Sequence, residues 1–211
     1  MTKLDSLRKP VVILANGEFP NHEIPVKKLQ TAKTIICCDG AADGLMGFGR
    51  VPDVIIGDLD SISSKIKNDF SHIIKFEPDQ NENDLRKSIK WVEKFGLNEI
   101  TILGGSGKRE DHFLGNIFSL IQIDSKMKLN FFTNYGVFEV LSNSKKFKAN
   151  KMQQVSLFSL DPSIRITTEG LKYPLKNDHI SNLYEGTLNE VIEKNFCINI
   201  SHGKILVYIA F

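Results

Sequence analysis

Apolar positions along this chain fall into two textures. Up to about residue 135, short and nearly continuous apolar runs occur at 11–15, 34–38, 53–56, 72–76, 99–103 and 129–133. Most are bounded by Gly, Asn, Asp or Pro, as strands buried on both faces should be. Helical patterns lie between them. After Asn83, Leu85, Ile89 and Val92 share one stripe with Phe95 beside it, and Leu114, Ile117, Phe118 and Ile121 repeat at i, i+3, i+4 and i+7. Strand alternating with helix predicts βαβ units and a mostly parallel, Rossmann-like α/β domain.

Beyond about residue 140 the helical period fades. Residues 155–160 and 164–168 read as short strands around Asp161-Pro162, and residues 196–201 and 204–211 flank His202-Gly203, which predicts a tight hairpin. The pattern divides the chain into an α/β domain over 1–140 and a small antiparallel β domain, a sandwich or a barrel, over 141–211. No linker rich in Gly, Ser or Pro separates them.

Composition narrows the class without naming a function. Hydrophobic content of 41% and charged content of 25% are those of a globular protein, and a net charge of +2 gives no field that would predict nucleic-acid or membrane binding. No run approaches the roughly 18 apolar residues of a membrane span. Met1-Thr2-Lys3-Leu4-Asp5 has no apolar signal core. Cys37, Cys38 and Cys197 have no zinc or CxxC spacing, and Cys37 and Cys38 sit in an apolar run where cysteine acts as a small hydrophobe. The expectation is a cytoplasmic protein without disulfides.

The richest chemistry follows the third apolar run, at Gly57-Asp58-Leu59-Asp60-Ser61. Parallel sheets deliver functional groups at the carboxyl ends of their strands. If the extended chain persists, Asp58 and Asp60 point the same way. Two carboxylates so close call for a cation, and Mg²⁺ pairs one or two carboxylates with substrate phosphates. Other strand ends carry Asn16-Gly17-Glu18 and Asp39-Gly40. The tract from Asp79 through Gln80 to Asp84 precedes a helix that Asn83 or Asp84 could cap, and a carboxylate there offers a third metal ligand. Leu103-Gly104-Gly105-Ser106-Gly107-Lys108-Arg109-Glu110-Asp111-His112 runs from a strand through a Gly-rich turn and two cations into a helix. Backbone N–H groups there can hold phosphate oxygens, and Arg109 can bind them bidentately. It is neither a P-loop nor a full GxGxxG. His112, Asn116 and Ser119 share one helix face.

In this order these segments resemble the thiamine pyrophosphokinase family. Its series of an early Asp-Gly, a Gly-Asp-x-Asp-Ser, an acidic stretch ending in a helix-start Asp, a Gly-rich Arg-x-Asp-His and a late Ser-Asn reads here as Asp39-Gly40, Gly57 to Ser61, Asp79 to Asp84, Gly104 to His112 and Ser181-Asn182. Glu169-Gly170-Leu171-Lys172-Tyr173-Pro174-Leu175 resembles a further family element. Asn83 stands where the family often has Thr, Gly107-Lys108-Arg109 where it often has Gly-Gly-Arg, and His179-Ile180 where a Gly-containing run precedes Ser-Asn.

The resemblance implies transfer of the terminal pyrophosphate of ATP to the thiamine hydroxyl, releasing AMP. It further implies an α/β nucleotide-binding catalytic domain, a β-sandwich thiamine-binding domain, and a homodimer with active sites near its interface. On it, Asp58, Asp60 and Asp84 hold Mg²⁺. Asp39, Gly40, Gly104, Gly105, Arg109 and His112 bind ATP or its phosphates. Asp111 orients or deprotonates the thiamine hydroxyl. Gln80, Ser181 and Asn182 contact thiamine, with Tyr184 a candidate to stack on its ring. Two alternatives use the same residues: a Mg²⁺-dependent nucleotide hydrolase, and a nucleotide or thiamine sensor without turnover.

Overall fold

The computed structural model describes residues 6–79, 81–124 and 126–211. The chain forms two compact units, one ending at Asn134 and the other spanning Tyr135–Phe211. The first is an α/β domain. Its strands are β1 (Val11–Leu14), β2 (Thr34–Cys38), β3 (Val54–Gly57), β4 (Ile74–Phe76), β5 (Glu99–Leu103) and β6 (Lys128–Phe132). Its helices are α1 (Glu23–Thr31), α2 (Ala41–Gly47), α3 (Ser64–Asp69), α4 (Asp84–Glu93) and α5 (Glu110–Gln122). Every residue of β1, β2 and β3 is buried, which is why these strands read as unbroken apolar runs rather than alternating ones. The short edge strand β4 is largely exposed and carries Lys75.

All the pairings among these six strands are parallel, and their order is β6-β5-β1-β2-β3-β4. The chain steps outward from β1 to β4, then α4 carries it back across β3, β2 and β1 to the far side of β1. The order therefore reverses between β1 and β5. Such a switch point opens a crevice beyond the carboxyl ends of the strands. It also explains the placement of α4, whose first residue, Asp84, must start above those same ends. The amphipathic stripes hold with one shift. Leu85, Ile89 and Val92 of α4 are buried, but on α5 the buried face is Ile117 and Leu120, and Leu114 is exposed.

The second unit is a β-sandwich. One sheet has the order β11-β9-β13-β7 and the other β10-β12-β8, all antiparallel. These strands are β7 (Gly136–Leu141), β8 (Lys145–Lys148), β9 (Gln154–Phe158), β10 (Ile166–Glu169), β11 (Asn189–Glu190), β12 (Asn195–Ile200) and β13 (Ile205–Ala210). The unit begins a few residues before the expected boundary at 140, because β7 pairs along its full length with β13. The predicted hairpin at His202-Gly203 does not form. β12 pairs with β8 and β10, and β13 with β7 and β9, so this turn passes the chain between sheets. The cause is burial. Phe196 and Ile198 from β12 meet Ile205 and Val207 from β13 in one core, and strands that face each other across a core cannot lie side by side in a sheet.

Candidate functional site

Five segments of the first unit, those following β1, β2, β3, β4 and β5, converge on the crevice. The turn after β2 places Asp39 in the left-handed region, at φ +41°, with its carboxylate buried. The turn after β3 brings Asp58 and Asp60 together, though not by strand alternation. β3 ends at Gly57, Leu59 sits at φ +66°, and the Asp60 N–H donates to Asp58 Oδ1 at 3.3 Å. The expected extended geometry is thus replaced by a tight Asx turn. Non-glycine residues in this region of φ are costly and concentrate at functional sites.

Oxygens of Asp39, Asp58 and Asp60 lie within 4.8 Å of one another. The Ser61 N–H donates to Asp39 Oδ2 at 2.9 Å, and the Ser61 hydroxyl donates to Asp60 Oδ1 at 2.7 Å. Asp39 Oδ1 is buried with no hydrogen-bond partner among the described residues. Gly57 makes the assembly possible, because a Cβ there would fall 2.9 Å from Asp39 Cβ and 3.2 Å from Asp84 Oδ2.

Asp84 adjoins this cluster from the first turn of α4. Its Oδ1 accepts from Lys87 Nζ at 3.0 Å, and Lys87 is itself buried. Asn83 caps the helix, with Oδ1 accepting from the Arg86 N–H at 2.9 Å. Burial pushes the carboxyl of Asp39 up to about 6, with Asp60 and Asp84 adding to the rise and the Ser61 N–H opposing it. Asp84 is also raised, chiefly by burial and against the pull of Lys87. Closely held carboxylates, one with an orphaned buried oxygen, make a donor set that fits a hard divalent cation.

The opposite wall is basic. Gly105, Gly107, Lys108, Arg109 and His112 share with the carboxylates a cavity of about 520 Å³. Lys108 Nζ donates to the carbonyl and the Oδ1 of Asn16, at 3.2 and 3.3 Å. Arg109 makes a two-pronged pair with Asp111, at 3.1 and 2.6 Å. That partner holds the Asp111 carboxyl down at about 2, which makes Asp111 a hydrogen-bond acceptor rather than a ready base. Asp111 and Gly104 do not line the cavity; Gly104 accepts from the Gly17 N–H instead.

Gly40 packs against Ser61 and Asn16 rather than facing the cavity. Ser181 and Asn182 belong to the second unit, where Glu185 binds both backbone N–H groups and the Asn182 amide. Gln80 lies outside the described residues. Sequence reasoning missed Lys87, and it did not join Asp39 to the carboxylates after β3. The available signals were a lysine three residues after Asp84, within ion-pair reach along a helix, and an Asp at the end of the neighbouring strand.

A model of the thiamin pyrophosphokinase catalytic domain matches residues 26–132, and one of the thiamin pyrophosphokinase substrate-binding domain matches residues 136–208. The chain belongs to the thiamin pyrophosphokinase family. It is a thiamine diphosphokinase, a transferase of thiamine diphosphate biosynthesis. Among its relatives is thiamin pyrophosphokinase 1 of Caenorhabditis elegans, 27% identical over 79% of this chain and 75% of that one. The Bacillus subtilis thiamine pyrophosphokinase is 29% identical over 65% of this chain and 68% of its own. Among solved structures, thiamine pyrophosphokinase from Bacillus subtilis superposes with a TM-score of 0.79 at 23% identity, over 95% of this chain and 98% of that one. Thiamin pyrophosphokinase from Candida albicans superposes with a TM-score of 0.81 at 21% identity, over 95% and 90%. Both share the α/β and sandwich fold. Among the described residues no helix is long and apolar enough to cross a membrane.

Proposed function

We propose that the crevice of the first unit binds MgATP and transfers its β,γ-diphosphate to the hydroxyl of thiamine. In that reaction a bond forms between the hydroxyl oxygen and the β-phosphorus, the bond from that phosphorus to the α-phosphate bridging oxygen breaks, and AMP leaves. The supporting observation is the orphaned Asp39 Oδ1 within a three-carboxylate cluster, facing a basic Gly-rich loop across one cavity. Moving a phosphoryl group demands positioning and charge neutralisation more than covalent chemistry.

In this reading Asp39, Asp58 and Asp60 hold the metal and Asp84 stands beside them, oriented by Lys87. Bound there, Mg²⁺ supplies neutralising charge to the polyphosphate. Gly105, Arg109 and His112 receive the phosphates, with Gly40 and Gly104 shaping the turns behind them. Arg109 must exchange at least part of its pairing with Asp111 for phosphate oxygens. Asp111 then orients the thiamine hydroxyl, whose proton passes to solvent or to the transferred group.

Gln80, Ser181, Asn182 and the exposed Tyr184 are the proposed thiamine contacts. The first unit, ending at Asn134, would form the catalytic part and the second, from Tyr135, the thiamine-binding part. Exposed Tyr173, Tyr184 and Leu188 support a homodimer that covers them. A cytoplasmic location suits three cysteines that are all free thiols.

The test is chromatography of AMP and thiamine diphosphate formed from ATP and Mg²⁺, with and without thiamine. Equal amounts of both products, only with thiamine, are expected. AMP formed regardless of thiamine would replace this reading with hydrolysis, and no AMP at all would replace it with a sensor.

A further inference from the structure

One side chain joins the two walls of the cavity. Asn116 Nδ2 donates to the carbonyl of Gly105 at 3.0 Å, and Asn116 Oδ1 accepts from Asn83 Nδ2 at 3.0 Å. Asn83 Oδ1 in turn accepts from the Arg86 N–H at 2.9 Å. The polarity of this chain is fixed at both ends by backbone groups. The Gly105 carbonyl can only accept and the Arg86 N–H can only donate, so each amide between them has one workable orientation. Asn83, Gly105 and Asn116 all line the cavity.

What the chain holds in place matters for the reaction. At its α4 end, Asn83 is the cap immediately before Asp84. At its other end, Gly105 lies in a loop where Gly104, Gly107 and Lys108 have φ of +65°, +73° and +59°. Peptide planes between glycines turn over cheaply, because no Cβ restricts them. A carbonyl anchored to a helix cannot turn, and neither can the N–H groups of the same loop drift relative to it.

We propose that Asn116 is a positioning residue for diphosphate transfer, a strap that fixes the phosphate-side loop against the carboxylate-bearing start of α4. This inference rests on the functional reading above. Asn116 touches no reacting atom in it and acts through Gly105 and Asn83.

The test uses the full chain, Mg²⁺ and α,β-methylene ATP, in which the bond to be broken cannot be cleaved. Calorimetry reads nucleotide affinity, thermal melting reads stability, and steady-state assays separate KM from kcat. Asn116→Asp keeps the acceptor for Asn83 but sets a carboxylate oxygen against the Gly105 carbonyl. Asn83→Ser keeps a helix cap but loses the amide that reaches Asn116.

Each variant should weaken nucleotide binding about tenfold, as the loss of one well-placed hydrogen bond can. KM for ATP should rise, the melting temperature should move by only a few degrees, and the double variant should lose no more than the weaker-binding single. Should Asn116→Asp fail to fold, Asn83→Ser carries the test alone, since it sits at an exposed helix start. Wild-type affinity in the folded single variants, or fully additive losses in the double, would overturn the strap and leave the functional reading standing. Failure of the wild-type chain to bind the nucleotide would overturn both.

Discussion

The two walls of the cavity are built on opposite principles. The acidic wall is assembled before any ligand arrives: Asp39 is buried, two of its residues hold left-handed backbone, and one carboxylate oxygen has no partner among the described residues. The basic wall is exposed and satisfied by itself, with Arg109 on Asp111 and Lys108 on Asn16. The difference teaches where each part of the binding energy comes from. The acidic wall stores unfavourable electrostatics that a cation relieves, so it should respond strongly to metal. The basic wall must give up existing pairs, so it should respond to nucleotide with smaller net gains.

The largest effect is expected on the acidic side. Asp58→Asn should leave the circular dichroism spectrum unchanged and cut turnover on the order of a hundredfold or more. A wild-type rate would remove Asp58 from the site. Lys87→Met should come next, because it strands Asp84 beside three other carboxylates. A loss on the order of 2 kcal/mol in urea unfolding is expected, below the figure for a fully buried pair because Asp84 keeps some solvent contact. Unchanged unfolding would mean that the pair does not compensate Asp84.

Asp39→Asn should act in the opposite sense on stability. Without metal it removes a buried charge pressed against Asp60 and should raise the melting temperature by a few degrees, while abolishing any further rise on adding Mg²⁺. The same group predicts a pH dependence. Asp39 is raised to about 6 from an ordinary 3.8, so between these values the folded chain binds more protons than the unfolded one. Stability of the metal-free protein should therefore fall as pH rises from about 4 to about 6, with Asp84 contributing in the same direction. Melting curves across that window, with and without Mg²⁺, check the sign, and saturating Mg²⁺ should remove most of the slope.

The smallest effect belongs to the basic wall. Breaking the exposed Arg109–Asp111 pair by Asp111→Asn should leave the unfolding curve unchanged while still lowering kcat. Equal stability with unchanged kcat would argue against an orienting role for Asp111.

Much of this arrangement was legible in the residues, and what was not has physical causes. β1 to β3 announced themselves because strands covered on both faces need apolar side chains on both. The chemistry of Asp58 and Asp60 was legible from their types, but their geometry was not, since nothing in the identity of Leu59 reports its positive φ. Asp39 joins them only because β2 and β3 pair side by side, which local sequence does not encode. Lys87 was hidden because a lysine in an amphipathic helix reads as solvated. At His202-Gly203 a turn was visible, but a turn does not state whether it joins strands within a sheet or across a core. The Asn83 that departs from the family series finds its use in the bond to Asn116, a contact spanning two helices.

The central claim is that the acidic wall is a preformed cation site centred on Asp39, Asp58 and Asp60. Titration of Mg²⁺ into the wild-type chain and into Asp39→Asn by calorimetry, in the absence of nucleotide, tests it most directly. The account predicts saturable binding by the wild type and its loss in the variant. Equal binding by both chains would contradict it.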